Sequence, residues 1–461
     1  MRMAVADLEL TDGLEPGLDA TLGAGLDAGG TMGLDVGLEA AGYDAVRVLV
    51  RLDGRPAGWV TVPVSDIERG GWRAALDTVA KQLGAVLAPA VLLPPPAPGA
   101  VSGAVSGASA GRAADWGSGQ APRPGPGEAL PAISVVVCTR DRTDNLRRCL
   151  AALLALDYPE YEIVVVDNAP SDDRTARLVA GLPVRYVVEE RPGLDRARNR
   201  GFREAAHGII AYTDDDVCPD RGWLRAVAAA FSEPDVMAVT GLVAPAELET
   251  EAQRLFEFEY GGMSHGLSRR VFRRGELRNT GLLWANAIGC GANMSFRREV
   301  LDSVGPFDPA LDVGTPAGGG GDLDMLHRVV ARGHTAVYEP AAVVWHHHRR
   351  DLRALRRQLF DNGRGFGAYL ITCARNRTVP RAAVARFALV TWAWPWLVRR
   401  LVRPGRFPRR LVAAELAGAI LSPVFYLAAR VSAARLDEAG TAGPGAGASR
   451  LVAAPSSAGV P

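Results

Sequence analysis

Three short runs of apolar, mostly β-branched residues limit what this chain can fold into. Residues 133–138 (ISVVVC), 162–166 (EIVVV) and 209–213 (IIAYT) are apolar almost without a break. A strand with one wet face would alternate, so these runs predict strands covered on both sides. A further strand is predicted at 184–189. Between the strands lie segments of helical character. Thr143 or Asp144 can cap one that runs to Leu154, Ser171-Asp172-Asp173 opens a second, and 193–207 reads as loop then helix. Strand and helix in alternation predict an α/β domain, a doubly wound and mostly parallel sheet with helices on both faces.

In such a sheet, ligands gather at the carboxyl ends of the strands. Thr139, Asp167 and the triplet Asp214, Asp215, Asp216 all fall at those ends. Three adjacent carboxylates at a buried strand end each need a counter-charge or water. A hard divalent cation, Mg²⁺ or Mn²⁺, is the partner such oxygens suit, with substrate phosphates completing its shell. Taken by itself the triplet also fits a solvated turn. The convergence of several strand-end acids favours a site.

The 461-residue chain divides by composition. Residues 1–42 are Gly-, Ala-, Asp- and Leu-rich with no helical or strand period, and are expected to be disordered. Residues 43–90 predict a small ββα module. Its strands at 45–52 and 58–64 join at Asp53-Gly54, and a helix to about Leu87 has Trp72, Leu76, Val79 and Leu83 on one face. Residues 91–130 are a Pro/Gly/Ser linker, 131–348 the main domain, 349–437 basic and apolar helices, and 438–461 a disordered tail. A net charge of +1 argues against a nucleic-acid partner. Five scattered cysteines without a CxxC pair predict a reduced, cytoplasmic chain, and no secretory signal is seen at the N-terminus.

SVVVCTRDR, IVVVDNAPSDD, GLDRARNRG, AYTDDDV, GCGANMSFRREVLDSVGPFD and GGGGDLDMLHR occur in that order across residues 131–348. The ordered set resembles the family 2 glycosyltransferases, inverting enzymes of the GT-A fold that use nucleotide-diphosphate sugars. The resemblance implies that Thr139, Arg140, Asp141 and Asp167 hold the nucleoside, with Arg198 near the nucleotide. It places Asp214 and Asp215 against ribose and sugar, and Asp216 on the metal that bridges the diphosphate. Asp322 matches the family's acidic base. The family usually carries Glu or Asp just before that position, where this chain has Gly321. Asp324 therefore stays open as the base, with Asp322 favoured. Family members often place a histidine near the diphosphate, which directs attention to His346 or His348; a polar surface patch is the competing reading of that run.

An inverting transfer needs charge neutralised on the leaving diphosphate, a base for the acceptor hydroxyl, and both substrates in line. The glycines at 318–321 would let the backbone approach a bound sugar closely. The expected partners are a nucleotide-diphosphate sugar and an acceptor hydroxyl on a glycan, lipid-linked glycan or small glycoside. Two other readings are a non-catalytic nucleotide-sugar binder and a nucleotidyltransferase. The second lacks its expected glycine-rich loop in CTRDR. Apolar stretches at 387–398 and 411–429, flanked by Arg399, Arg400, Arg403, Arg406, Arg409 and Arg410, favour attachment to the cytoplasmic face of a membrane over a pair of buried helices.

Overall fold

A computed structural model describes residues 2–10, 42–52, 54–67, 69, 78, 81–83, 130–402 and 405–441. They fall into two compact units. The first comprises the described residues of Met1–Gln120 with Pro245–Thr250 and Gly266–Arg269; the second holds the rest.

In the first unit, β2 (Ala45–Leu52) pairs antiparallel with β3 (Arg55–Pro63), as the Asp53-Gly54 turn leads one to expect. The expectation of disorder before residue 42 is corrected at residues 3–10. Met3–Leu10 forms β1, which runs parallel to β2 and makes the sheet three-stranded. Its inward residues Ala4, Ala6 and Leu8 join Val46, Val48, Val50, Val60 and Val62 in one core. The signal was present in MAVADLEL, which alternates apolar and polar residues at its end, but the glycine-rich stretch beyond it dominates any wider window. Leu83 lies in that core; Trp72, Leu76 and Val79 lie outside the described residues.

The second unit is built on a nine-stranded sheet. The strands β4 (Ile133–Thr139), β5 (Tyr161–Asn168), β6 (Arg185–Glu189) and β7 (Ile209–Asp214) are parallel, in spatial order β7-β4-β5-β6. Helices α1 (Thr143–Leu154), α2 (Arg174–Val179) and α3 (Leu194–Glu204) connect them. The apolar runs feed two cores, one on each face. Val136, Val164 and Ile210 enter one; Val135, Val137, Ile163 and Ala211 enter the other. That division is why the runs are continuous: apart from Glu162 and Cys138, every side chain along them is buried.

Beyond Asp214 the chain turns into β8 (Val217–Pro219), α4 (Trp223–Ala230) and β9 (Val236–Pro245), followed by β10 (Arg270–Phe272), β11 (Asn293–Arg297), α5 (Gly321–Ala331) and β12 (Thr335–His346). β11 is antiparallel to β7, and the far end of β12 is antiparallel to β8.

Residues 349–437 supply the basic and apolar helices that the sequence predicts, and several of their side chains pack into the core of the main domain. Tyr369, Leu370 and Cys373 of α6 (Leu352–Asn376) share the core of β4, β5 and β7, as do Phe387, Trp392 and Leu397. The final helix, α7 (Arg409–Thr441), buries Leu411, Glu415, Ser422, Tyr426, Ala429 and Ala433 along one face. Glycines let α6 and α7 approach closely; a Cβ at Gly363 would overlap the carbonyl of Glu415, and one at Gly418 the carbonyl of Phe360. Glu415 is tolerated in this apolar helix because Tyr260 and Trp396 donate to its carboxylate. Burial pushes that carboxyl up to about 7. The outward face of α7 is different: Ile420, Leu421, Val424, Leu427 and Val431 are all exposed.

Candidate active site

The parallel register brings the strand ends together. Thr139 lies beside Asp167, and Cys138 beside Asp214. Thr139 is buried, and its hydroxyl donates to Asp215 Oδ2 at 2.8 Å. Asp215 Oδ1 accepts from Arg142 Nη1 at 2.6 Å, while Arg142 Nη2 reaches Asp216 Oδ2 at 2.7 Å. One guanidinium thus forks across two neighbouring carboxylates. Sequence reading singled out Arg140, which is half-exposed, and passed over Arg142; only packing shows which arginine of CTRDR turns inward.

Asp216 is held on a second side by the end of β12. The antiparallel pairing of His346 with Val217, and the His347 N–H donated to the carbonyl of Asp216, carry His346 Nε2 to 3.5 Å from Asp216 Oδ1. His346 Nδ1 lies 3.0 Å from His348 Nδ1, and His348 Nε2 lies 3.1 Å from Glu257 Oε2. An ionised carboxylate only accepts, so His348 Nε2 carries a proton. The tautomer in which His346 Nδ1 donates to His348 Nδ1 leaves the His346 Nε2 lone pair toward Asp216. Burial pushes the His346 imidazolium pKa down to about 3, so the ring is neutral at ordinary pH. Burial acts to raise Asp216, but the guanidinium groups of Arg142 and Arg349 pull it well below the usual carboxylate range.

Two lone-pair atoms facing each other repel unless a proton or cation lies between them. Asp216 Oδ1 and His346 Nε2 therefore fit a divalent cation by donor type. No trio of His, Cys, Asp or Glu converges as a ready cage among the described residues. Such a pair suits an ion that keeps water and phosphate oxygens in its remaining positions.

On the other side of the triplet sits Arg198, fully buried on α3. Its Nη1 donates to Asp195 at 3.0 Å and also to Asp312, and Nη2 lies 4.0 Å from Asp214. Asp214 is about one-third exposed, and burial pushes its carboxyl up to about 7 despite Arg198. Asn199, next along, is a tie to the neighbouring loop, exchanging two hydrogen bonds with the backbone of Phe307.

Asp322, in the first turn of α5, accepts from the N–H of Gly291 at 2.7 Å and of Leu323 at 2.8 Å. A Cβ at Gly291 would overlap Arg198 and crowd Asp322, so this glycine leaves room for both to meet at one spot. Asp322 is pushed upward by burial and by Asp312, against Arg198 and the two N–H donors. Asp324 points elsewhere: it is buried and paired with Arg328 at 2.7 Å. Of the two acids left open, Asp322 is the one beside the strand ends.

The nucleoside-side acids are also placed. Asp141 adopts a left-handed backbone (φ 54°) and accepts from the N–H and hydroxyl of Ser171, both at 2.9 Å. Asp167 is buried and accepts from Tyr186 at 2.9 Å. Burial raises its carboxyl.

The glycine run lies against neighbouring protein. Gly319 and Gly320 lie against the backbone of Gly365 on α6, with Gly365 O 2.6 Å from where a Cβ of Gly320 would stand, and Gly321 lies against Asp195. The run is wedged between helices: Gly320 approaches backbone, while Gly318 and Gly321 leave room for the side chains of Arg364 and Asp195.

Residues 134–305 match the family model described as Glycosyl transferase family 2. Among curated relatives, the chain is 26% identical over 246 residues to glycosyltransferase AglE of Haloferax volcanii, covering 51% of this chain and 73% of that one. It is 28% identical over 276 residues to the pre-mycofactocin glycosyltransferase of Mycobacterium tuberculosis, covering 59% and 54%. It thus spans only about half the length of the latter. A mannosyltransferase structure from Pyrobaculum calidifontis, in complex with GDP-Man and Mn²⁺, aligns with a TM-score of 0.43 at 21% identity over 66% of this chain and 88% of that one. With the strand-end acids, the doubly wound sheet and the matched segment in agreement, residues 134–305 form a family 2 glycosyltransferase domain.

Proposed function

We propose that the chain transfers a sugar from a nucleotide-diphosphate donor to an acceptor hydroxyl, with inversion at the anomeric carbon. The observation that carries this reading is the facing pair Asp216 Oδ1 and His346 Nε2, set beside a row of charged side chains that continues through Asp214 and Arg198 to Asp322. Asp141 and Asp167 take the nucleoside, and the open face of Asp214 takes ribose or sugar hydroxyls. Asp322 accepts the proton of the acceptor hydroxyl as its oxygen bonds to the anomeric carbon and the bond to the diphosphate breaks. Arg142 and Arg349 offer positive charge to the leaving diphosphate. Mg²⁺ or Mn²⁺, held by Asp216 and His346, would supply further neutralisation of that charge.

The test is incubation with a panel of nucleotide sugars and Mn²⁺, with and without chelator. Cation-dependent release of nucleoside diphosphate, and an anomer opposite to the donor's in the product, are expected. Release of pyrophosphate would favour a nucleotidyltransferase. Tight binding with no release would favour a non-catalytic binder.

The same reading includes attachment to a lipid surface. Ile420, Val424, Leu427 and Val431 recur at helical spacing on the outward face of α7, and Leu389, Val390, Trp394 and Val402 are exposed in the preceding segment. Residues 381–436 hold ten arginines and one acid, Glu415, which is buried. An apolar stripe with an arginine collar suits an anionic leaflet. Because the inner face of α7 is buried against protein, we favour a helix lying in the interface over one spanning alone. The full chain should co-sediment with vesicles containing phosphatidylglycerol, less so with phosphatidylcholine alone or in high salt. Val424→Glu with Leu427→Glu should abolish it. A full chain that ignores anionic vesicles removes this part of the proposal, and self-association through the stripe would reassign it.

A further inference from the structure

Asp195 is the carboxylate in this cluster to which the proposed reaction assigns no task. It is fully buried in the first turn of α3. Oδ1 accepts from Arg198 Nη1 at 3.0 Å, but Oδ2 is buried with no hydrogen-bond partner. Leaving a buried carboxylate half-satisfied is costly, and such groups persist where they serve a site. The space it occupies is equally informative. A Cβ built on Gly321 would coincide with the Asp195 carboxylate. Gly321 is not in a left-handed conformation and opens α5 in ordinary helical geometry. It is glycine because Asp195, not another residue's backbone, fills the place of its side chain.

The surrounding chain is built to hold that arrangement. Gly193, with φ 134°, donates its N–H to Asn168 Oδ1 and lets the chain turn into α3. Leu194 N–H donates to the carbonyl of Val313, which seats the loop carrying Asp312 against the start of α3. Asp195 and Asp312 then both draw on Arg198 Nη1, which leaves Nη2 to face Asp214 and the spot beside Gly291 where Asp322 sits.

We propose that Asp195 is a positioning residue, an acid delivered from α3 into the vacancy at Gly321, which orients Arg198 toward Asp214 and Asp322. It touches no substrate and acts through Arg198. This inference rests on the transferase reading above.

The acid and the vacancy form an exchangeable pair, so the test moves the acid. Asp195→Asn keeps shape and the acceptor to Arg198 but removes the acid. Its thermal midpoint and donor KM should stay near those of the unaltered chain, while kcat falls roughly 10–100-fold, the range seen when a supporting partner of a reactive group is lost. A residue that only holds the fold would move the midpoint and leave kcat per folded molecule unchanged. Gly321→Asp alone forces a side chain into the Asp195 carboxylate and should lower the midpoint sharply. Combining it with Asp195→Gly returns one acid to one space, and should regain both the midpoint and most of the kcat that Asp195→Gly loses alone.

An Asp195→Asn enzyme with unaltered kcat overturns the proposal. So does an exchanged pair that folds but is no faster than Asp195→Gly, and so does a Gly321→Asp chain with the original midpoint. If the unaltered chain turns over no nucleotide sugar, the transferase reading fails and takes the positioning role with it. That result differs from turnover that is merely indifferent to Asp195.

Discussion

Asp216→Ala is expected to eliminate cation-dependent donor binding, weakening it by at least about 100-fold, since a direct ligand should cost no less than the supporting partners of a metal site. Asp216 is the carboxylate that faces His346, and it also takes half of the Arg142 fork. Removing it leaves Arg142 bound only to Asp215 and His346 Nε2 facing nothing charged. Mn²⁺ with a nucleoside diphosphate should raise the melting temperature of the unaltered chain and leave that of Asp216→Ala where it was. Equal nucleotide affinity in both proteins, with and without chelator, would refute the metal assignment. His346→Ala should weaken binding in the same direction but less, because a neutral ligand contributes less to holding a cation than an ionised carboxylate does.

Asp322→Asn should lower kcat by on the order of 10²–10⁴, the usual contribution of a positioned base. Donor binding should persist, because Asp322 bonds only to the N–H groups of Gly291 and Leu323 and stands on the far side of Arg198 from Asp216. The pH dependence follows from the direction of its shift. Burial and Asp312 raise this carboxyl above its ordinary value, so its base form disappears on acidification at a higher pH than an exposed aspartate's would. The acid limb of kcat should lie above about pH 4, the unperturbed carboxylate range, and vanish in Asp322→Asn. The linked effect on stability has the opposite sense. A raised carboxyl binds its proton more tightly folded than unfolded, so stability declines as pH rises from the ordinary value through the raised one. Asp322→Asn should remove that decline. A variant with full kcat and an unchanged pH profile would return attention to Asp214.

Sequence reading reached the strand ends and stopped short of their partners. Asp214, Asp215, Asp216 and Asp167 were legible because a parallel strand carries a local signature, and its last residue has only one place to go. Arg142 was not, since CTRDR offers two arginines and nothing local says which turns inward. Gly321 read as the loss of an acid. The structure shows a space filled by Asp195 from 126 residues earlier in the chain. His346 stood out only as part of a histidine run; its tautomer is set by His348 and Glu257.

By itself, the sequence determined the alternation of buried strands and helices, and so the end of the sheet where the acids collect. Backbone period and side-chain polarity act within a few residues and survive in any context. Tertiary structure alone decided the pairing of charges: Arg142 across Asp215 and Asp216, His346 against Asp216, and Arg198 among Asp195, Asp312 and Asp214. A buried charge is stabilised by whichever opposite charge packing brings within a few ångströms, and that neighbour can come from any distance along the chain.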